Sequence, residues 1–353
     1  MSQEEALLVS RERRIGRIRL NRPKALNSLT LDMVRRFKQA LDDFVADPDT
    51  VAVLVTGEGE RGLCAGGDIR ALYECRNNGK EHYKTFWREE YALNARIASF
   101  SKPYVVLMDG IVMGGGVGVS AHGNRRVATE HTQLAMPETR IGFIPDVGGT
   151  WLLARGAGAG VYMALSGVAV GAADAMHVGL CDQMVQSSRI PELVEKLAFA
   201  SSGDQIDATL AAFAIEPEKG ELQQRKEELD RVTAADSVEH ILENLRASGS
   251  AFGSKAAKEI CRNSPSSLKV TYALLKRART AERLETCLIS EYRAACSLLD
   301  GHDLYEGIRA ALIDKDKTPR WRPPSLEEVD ENAIKKILEG RGDPEPDFGA
   351  PPQ

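Results

Sequence analysis

The sequence predicts an α/β protein, and two patterns along the chain support that prediction. In the first half of the 353 residues, short apolar runs rich in β-branched residues alternate with longer segments of helical period. After about residue 190 the strand-like runs stop, and amphipathic helical segments follow one another. This order is typical of an α/β first region followed by a helical second region.

The elements of the first region can be assigned in chain order. Strand character is found in IGRIRL (15–20), VAVLVTG (51–57), YVVLMDG (104–110), RRVAT (125–129) and TQLAMP (132–137). Helical period is found over 30–47 and 81–100. Thr30 precedes the first of these helices and is an expected N-cap, and Pro103 separates the second helix from the next strand.

The second region is predicted to be helical, with a tail of different composition. The expected helices cover 190–200, 237–247, 253–262, 266–279, 282–299, 302–314 and 325–340. Ser264 before Pro265 is a helix-start signal. We therefore expect a core over 1–200 that holds the site, a helical region over 201–341 and a Pro-rich, acidic, disordered tail over 342–353.

Composition excludes some classes of function. Hydrophobic residues make up 43% and charged residues 27%, as in folded globular proteins. The net charge of −5 argues against a protein built to neutralise nucleic-acid phosphates. No apolar run approaches the roughly 20 residues of a membrane span, and the start, MSQEEALLVSRERR, lacks a signal-peptide core. We expect a cytoplasmic protein with no membrane or nucleic-acid partner.

Common motifs of nucleotide, serine-hydrolase and metal sites are missing from the sequence. No GxxxxGK[ST], GxSxG or HExxH motif occurs, and the glycine clusters lack the context of a dinucleotide-binding loop. The six cysteines are scattered without metal-ligand spacing, which predicts reduced core residues. His122 and His131 are interpreted as structural. We expect no metal site.

Two glycine-bearing turns follow predicted strands. They are GLCAGGDIR (62–70) and MDGIVMGGGVGVSAHG (108–123). Glycine permits positive φ and close approach of a ligand, and two converging N–H groups can form an oxyanion hole. Either turn alone is better explained as a tight turn, but the pair precedes Glu138 and Asp146 in the apolar segment AMPETRIGFIPDVGGTW (135–151). Together they favour a ligand site.

Each acidic residue has a second interpretation. Glu138 after Pro137 is also placed to cap a short helix, and Asp146 to cap a helix that begins in VGGTW. Glu90 belongs to the charged run Arg88–Glu90, which is typical of an exposed helix face. If Glu138 is instead buried among its apolar neighbours, desolvation raises its pKa toward the range useful for proton transfer.

The segments RGLCAGGDIR, GIVMGGGVG and PETRIGFIPDVGGT resemble the acyl-CoA-binding signatures of the crotonase (enoyl-CoA hydratase/isomerase) superfamily. The likeness extends from IRLNRPKALNSLTLDMV (18–34) through REEYALN (88–94) to SPSSLKVT (264–271) and EGIRAALIDKDKTPRWRP (306–323). It implies a crotonase-like spiral of β-β-α turns followed by a helical C-terminal region that commonly mediates oligomers. It also implies an acyl-CoA substrate, with no cofactor beyond the CoA of the substrate itself, and a homo-oligomer as the candidate assembly.

The resemblance also implies roles for individual residues. Gly67 and Gly115 match the positions whose N–H groups bind the thioester oxygen, and Glu138 and Asp146 match the acid positions. The further substrate-binding positions are Glu90, Gly66, Gly114 and Lys24, the last near the CoA nucleotide.

One departure from the family pattern bears on the reaction. Hydratases have a Glu where this chain has Gly118, and hydration needs two carboxylates to deliver hydroxyl and proton. The late block 306–323 is similar to hydrolases of short 3-hydroxyacyl-CoA thioesters, such as 3-hydroxyisobutyryl-CoA in valine catabolism or 3-hydroxypropionyl-CoA. The alternatives are an enoyl- or dienoyl-CoA isomerase or hydratase of the same superfamily, and a non-catalytic acyl-CoA-binding protein.

In a hydrolase, Glu138 would act as nucleophile or as general base. Asp146 would bind the 3-hydroxyl or assist proton transfer near the sulfur.

Overall fold

A computed structural model describes residues 5–349, and its strands form two sheets. The strands are β1 Leu7–Glu12, β2 Ile15–Leu20, β3 Ala52–Gly57, β4 Gly62–Cys64, β5 Tyr104–Met108, β6 Ile111–Met113, β7 Arg125–Ala128, β8 Gln133–Ala135 and β9 Gln183–Met184. The larger sheet has the order β1-β2-β3-β5-β7-β9, and the smaller has the order β4-β6-β8. β1 pairs antiparallel with β2, and all other pairs are parallel.

The two sheets grow together as the chain winds. Each of the pairs β3–β4, β5–β6 and β7–β8 adds one strand to the larger sheet and one to the smaller. Both faces of the larger sheet are covered, because Val53 and Val55 belong to one buried cluster and Ala52 and Leu54 to another. The α/β prediction and the expected spiral of β-β-α turns are confirmed.

Each of the two predicted glycine turns contains a short strand. β4 is the GLC of the first turn, and β6 is the IVM of the second. Three residues are too few for a strand period to be recognised. The predicted strands at 15–20, 51–57, 104–110, 125–129 and 132–137 are all present as β2, β3, β5, β7 and β8.

The first region contains the two predicted helices and several shorter ones. They are α1 Leu31–Ala46, α2 Ile69–Glu74, α3 Lys80–Ala98, α4 Gly115–Gly118, α5 Gly149–Arg155, α6 Ala157–Ser166 and α7 Ala172–Val178. Thr30 accepts a hydrogen bond from the N–H of Met33, as expected of an N-cap. Asp68 caps α2 in the same way through the N–H of Ala71.

The second region is helical, as predicted. Its helices are α8 Ile190–Ala198, α9 Gly203–Phe213, α10 Glu221–Gln224, α11 Lys226–Thr233, α12 Val238–Ala247, α13 Ala251–Ile260, α14 Pro265–Thr280, α15 Leu284–Leu298, α16 Asp303–Ile308 and α17 Glu331–Glu339. A π-helical turn, Arg309–Ile313, continues α16. Ser264 caps α14 as expected. α15 packs against both α3 and α5 and so reaches the first region.

The tail differs from the expectation of disorder over its described part, residues 342–349. Asp343 lies 2.7 Å from Nζ of Lys84, Glu345 lies 2.6 Å from the guanidinium of Arg293, and Phe348 packs on the main core. The acidic composition that suggested disorder instead pairs with basic side chains of α3 and α15. Residues 350–353 lie outside the described part, and the domain boundaries near 200 and 341 stay a prediction.

The cysteines are free thiols, and five of the six are buried as predicted. Cys261 is the exception, because it follows the end of α13 and is exposed. Between residues 5 and 349 no cluster of three or more His, Cys, Asp or Glu side chains is arranged to hold a metal ion. In the same part of the chain, no helix has the length and apolar character needed to cross a membrane.

Candidate active site

A cavity of about 290 Å³ lies where the glycine turns, α3 and the segment after β8 meet. Its walls are mainly apolar: Ile69, Leu72, Tyr83, Phe86, Trp87, Ile141 and Phe143. It also contains seven of the eight predicted site residues: Gly66, Gly67, Glu90, Gly114, Gly115, Glu138 and Asp146. The eighth, Lys24, is exposed on the short helix Pro23–Ala25 and is not part of the lining. The role of Lys24 at the CoA nucleotide stays a prediction.

Gly67 and Gly115 are neighbours although 48 positions separate them (115 − 67). A Cβ built on Gly115 would lie 3.4 Å from the nitrogen of Gly67. Within the described residues, neither N–H donates a hydrogen bond. Two adjacent free amides at the wall of a cavity are suited to bind a developing oxyanion. Their binding of a thioester oxygen stays a prediction.

Glycine is needed at position 115 for a steric reason. A Cβ there would lie 2.5 Å from Oε1 of Glu90 and 3.2 Å from Cδ1 of Leu29. Gly118 is equally confined, because its Cβ would lie 2.8 Å from Nδ2 of Asn94 and 2.8 Å from Cβ of Val147. The chain therefore has no room for an acidic side chain at 118 without movement of α3 or of the segment after Asp146.

Glu138 opens the short 3₁₀ helix Glu138–Ile141, which follows β8. Its side chain is only 6% exposed and caps no helix end, so the capping interpretation is wrong. No protein atom of the described chain bonds to Oε2, and Oε1 lies 3.0 Å from the position of a Cβ on Gly114. Burial, and then the negative charge of Asp146, raise the pKa of Glu138 well above its usual value.

Asp146 is also buried, and Tyr91 is its hydrogen-bond partner. The hydroxyl of Tyr91 donates to Oδ2 of Asp146 over 2.7 Å. Burial raises the pKa of Asp146 to about 7, although the hydrogen bond from Tyr91 opposes the shift. The N-cap of α5 is Gly148, with no side-chain cap, so the interpretation of Asp146 as the cap of this helix is wrong.

Glu90 faces the cavity, while its neighbour Glu89 faces outward. Glu90 is 2% exposed, and its Oε1 has no partner in the described chain. Burial, and then the charge of Asp146, raise the pKa of Glu90 well above its usual value. Glu89 instead forms a bidentate pair with Arg35, with N–O distances of 2.7 Å. The interpretation of Glu90 as an exposed helix acid is wrong, and its contact with substrate stays a prediction.

Two residues at the site were missed in the sequence, Tyr91 and Glu291. Tyr91 lies on the buried face of α3, where a tyrosine hydroxyl needs a partner. Glu291 is an acid within the otherwise apolar face of α15 and is 0% exposed. An ionisable residue on a buried helix face is the signal that could have found both.

Glu291 binds the backbone next to Asp146. It accepts hydrogen bonds from the N–H of Gly148 at 2.7 Å, the N–H of Thr150 at 3.0 Å and the hydroxyl of Thr150 at 2.5 Å. Burial raises the pKa of Glu291 to about 8, against the hydrogen bonds from Thr150 and Gly148. His122 lies close by, with Nε2 2.7 Å from the carbonyl oxygen of Val147, and burial lowers the pKa of His122 to about 4.

The chain is similar to named proteins over nearly its whole length. It is 43% identical to the mitochondrial 3-hydroxyisobutyryl-CoA hydrolase of Danio rerio over 92% of this chain and 86% of that protein. It is 39% identical to the protein of the same name from Homo sapiens over 96% of this chain and 89% of that protein.

Solved structures share the fold. A structure described as a carnitinyl-CoA dehydratase from Mycobacterium thermoresistibile has a TM-score of 0.93 and 44% identity, covering 98% of this chain and 99% of that one. An enoyl-CoA hydratase structure from Rhodobacter sphaeroides has a TM-score of 0.88 and 38% identity, covering 96% and 98%. A family model described as enoyl-CoA hydratase/isomerase matches residues 15–338. The resemblance seen in the glycine turns is confirmed, and the chain belongs to the enoyl-CoA hydratase/isomerase family.

Proposed function

We propose that this chain hydrolyses the thioester of 3-hydroxyisobutyryl-CoA, or of a similar short 3-hydroxyacyl-CoA such as 3-hydroxypropionyl-CoA, to the free acid and CoA. The observation that carries the proposal is the position of Glu138, which lines the same cavity as the paired glycines Gly67 and Gly115, while Gly118 stands where a hydratase has its second Glu. The names of the Danio rerio and Homo sapiens relatives support the same reaction.

The paired amides would act on the thioester oxygen. As a nucleophile adds to the carbonyl carbon, negative charge develops on that oxygen, and the N–H groups of Gly67 and Gly115 donate to it. When the tetrahedral species collapses, the C–S bond breaks and the electron pair leaves with sulfur as the CoA thiolate. The thiolate then takes a proton to become the thiol.

Glu138 has two routes to this result. As a general base, it removes a proton from a water molecule while the water oxygen bonds to the carbonyl carbon. As a nucleophile, its own oxygen attacks the carbonyl carbon, and water then opens the mixed anhydride. A single turnover in H₂¹⁸O tests for the anhydride: if water attacks its Glu138 carbonyl, the product is unlabelled and ¹⁸O is found in Glu138, whereas general-base catalysis places ¹⁸O in the product.

Asp146 would bind the 3-hydroxyl of the substrate or pass a proton toward the sulfur. Its pKa of about 7 allows it to accept or to donate a hydrogen near neutral pH. The hydroxyl of Tyr91 holds one oxygen of this carboxyl, and Asp146 belongs to the lining of the cavity.

The size and walls of the cavity suit a short acyl group. A volume of about 290 Å³ is at the lower end of the range for ligand pockets. The rings of Trp87 and Phe143 stack with centroids 5.2 Å apart and form part of the apolar lining. Exclusion of water strengthens the hydrogen bonds to the developing oxyanion.

A second candidate reaction is the hydration of an enoyl-CoA double bond, or the reverse dehydration. The descriptions of the two solved structures favour this reaction. Gly118 argues against it, because the Glu that hydratases use at this position is missing and Asn94 and Val147 fill the space. Double-bond isomerisation needs only proton transfers and is tested together with hydration.

One assay distinguishes these reactions. Thiol release is followed with a disulfide reagent while the absorbance of the enoyl thioester is recorded, using 3-hydroxyisobutyryl-, 3-hydroxypropionyl-, acetyl- and crotonyl-CoA. Hydrolysis releases thiol from the two 3-hydroxy substrates without a change in enoyl absorbance. A hydratase changes the enoyl absorbance of crotonyl-CoA, an isomerase changes the absorbance of a dienoyl-CoA assayed beside these four, and neither releases thiol.

The setting of the reaction is also part of the proposal. We propose a role in valine catabolism, a homo-oligomeric assembly and no cofactor beyond the substrate's CoA. The sequence favours the cytoplasm, whereas the named relatives are mitochondrial proteins. Light scattering measures the molar mass of the assembly. Activity that persists after dialysis against a chelator is expected if no metal cofactor is needed. Cell fractionation tests the compartment.

A further inference from the structure

Glu291 is a buried acid that the proposed chemistry does not use. It lies on α15, in the helical region, yet both its carboxyl oxygens accept hydrogen bonds from the segment that follows Asp146. Oε2 accepts from the N–H of Gly148, and Oε1 accepts from the N–H and the hydroxyl of Thr150.

The bound segment has an unusual backbone. Val147 has φ of +53° and Gly148 has φ of +79°, both in the left-handed region. For a β-branched residue such as Val147 this conformation is strained, and it persists only where the surroundings hold it. His122 contacts the carbonyl of Val147, and Glu291 binds the next N–H. These two side chains therefore hold the turn from opposite ends of one peptide unit.

The turn sets the direction of Asp146. The carbonyl oxygen of Asp146 accepts a hydrogen bond from the N–H of Gly149 at 2.6 Å, which closes the turn that Glu291 binds. A rotation of the peptide between Val147 and Gly148 would therefore change where the Asp146 carboxyl points. Displacements of about 1 Å at a catalytic group can lower a rate on the order of a hundredfold.

We propose that Glu291 is a positioning residue that fixes the Asp146–Thr150 turn and so aims the Asp146 carboxyl at the 3-hydroxyl of the substrate; this rests on the proposed function. It also gives the helical region a direct part in the site, because α15 supplies the acceptor for a turn of the first region. Three donors converge on the Glu291 carboxyl, and in its ionised form this group offers only acceptors to them. A glutamine would turn an NH₂ group toward at least one of those donors.

The test compares Glu291→Gln with a matched control, Glu259→Gln. Glu259 is another acid of the helical region, and it accepts a hydrogen bond from the hydroxyl of Tyr162 at 2.7 Å, outside the cavity that holds Asp146. We expect Glu291→Gln to lower kcat/KM on 3-hydroxyisobutyryl-CoA on the order of tenfold to a hundredfold. The loss on isobutyryl-CoA, which has no 3-hydroxyl, should be several-fold smaller, and Glu259→Gln should change neither.

A double mutant separates positioning from a general loss of structure. If Glu291 acts through Asp146, then Glu291→Gln adds less than about twofold in an Asp146→Asn background. Independent, multiplicative losses in that background, or equal losses on the two substrates, would overturn the proposal.

A measurement without substrate keeps this result separate from the proposed function. Amide hydrogen exchange in the full-length protein should be faster at 148–150 in Glu291→Gln than in wild type, with no such change in Glu259→Gln. Unchanged exchange there overturns the positioning role whatever the enzyme's substrate. A different result is no thiol release by the wild type together with faster exchange in the variant. It would reject the proposed reaction and the role of Asp146 at a 3-hydroxyl. The role of Glu291 in fixing the turn would remain.

Discussion

The hydroxyl of Tyr91 and the carboxyl of Asp146 form a buried hydrogen bond of 2.7 Å that joins α3 to the segment after β8. A hydrogen bond to a carboxylate stabilises its charged form and lowers its pKa. This contact therefore limits how far burial raises the pKa of Asp146, which is about 7.

Tyr91→Phe should move the titration of Asp146 upward. Loss of the hydroxyl removes the hydrogen bond that opposes the rise in the pKa of Asp146 caused by burial. The pH profile of kcat/KM should therefore show the Asp146 midpoint above about 7. We expect a shift of about one pH unit and a several-fold loss on 3-hydroxy substrates. Tyr292→Phe is the control, because the Tyr292 hydroxyl has no partner in the described chain. Coincident profiles for wild type and Tyr91→Phe would contradict this account of Asp146.

Glu138→Gln should remove turnover while it preserves binding. The amide keeps the shape of the side chain but neither attacks the thioester nor takes a proton from water, so kcat falls by about a thousandfold or more. Calorimetric titration should give a Kd for acyl-CoA within a few-fold of wild type. Glu89→Gln, which alters an outward-facing acid of α3, should leave kcat unchanged. A Glu138→Gln enzyme with the wild-type rate would remove Glu138 from the mechanism.

Asp146→Asn should change substrate preference. If Asp146 binds the 3-hydroxyl, the loss in kcat/KM is larger on 3-hydroxyisobutyryl-CoA than on isobutyryl-CoA, by a factor of about ten. Steady-state thiol release on the two substrates measures the ratio directly. Equal losses on both would assign Asp146 to proton transfer near the sulfur instead.

Gly115→Ala should disable the amide pair. The new Cβ would lie 2.5 Å from Oε1 of Glu90, so the backbone or Glu90 must move. We expect kcat to fall on the order of a hundredfold, as when one oxyanion donor is lost, with a cost of about 1–3 kcal/mol in the free energy of unfolding. Gly171→Ala is the control, since its Cβ would meet only Thr132 O, at 4.0 Å. An active Gly115→Ala enzyme would argue against the oxyanion role.

Glu90 should make the free energy of unfolding depend on pH. Its pKa is raised in the folded protein, so between about pH 4.5 and that raised value the folded state binds more protons than the unfolded state. Stability therefore falls as pH rises through this window. Glu90→Gln should raise Tm at pH 8 more than at pH 5, and Glu89→Gln should not. Calorimetric scans at the two pH values measure the difference, and a Glu90→Gln effect equal at both would contradict the buried acid.

Much of the fold could be predicted because its elements are long or have clear caps. The strands β3 and β5 are continuous apolar runs, and Thr30 and Ser264 mark helix starts by side-chain chemistry. The strands β4 and β6 could not be recognised, because three residues show no period and are defined only by pairing with each other and β8. The described tail was missed because its partners Lys84 and Arg293 are distant in sequence.

The site was predictable where motif and family resemblance named its residues, and not where tertiary contact decides. Glu138, Asp146 and the two glycines lie in recognisable segments and meet in one cavity. The orientation of Glu90 was ambiguous, because a run of three charged residues does not show which one faces inward until α3 packs. Glu291 is 145 positions from Asp146 (291 − 146), so only the packing of α15 on α5 brings it to the turn.

We propose above that the protein cleaves the C–S bond of a 3-hydroxyacyl-CoA with Glu138. The most direct test is thiol release from 3-hydroxyisobutyryl-CoA by the wild type and by Glu138→Gln, with enoyl absorbance recorded in the same cuvette. We expect stoichiometric thiol release by the wild type, none above background by the variant, and no enoyl signal from either. A change in enoyl absorbance without release of thiol would contradict it.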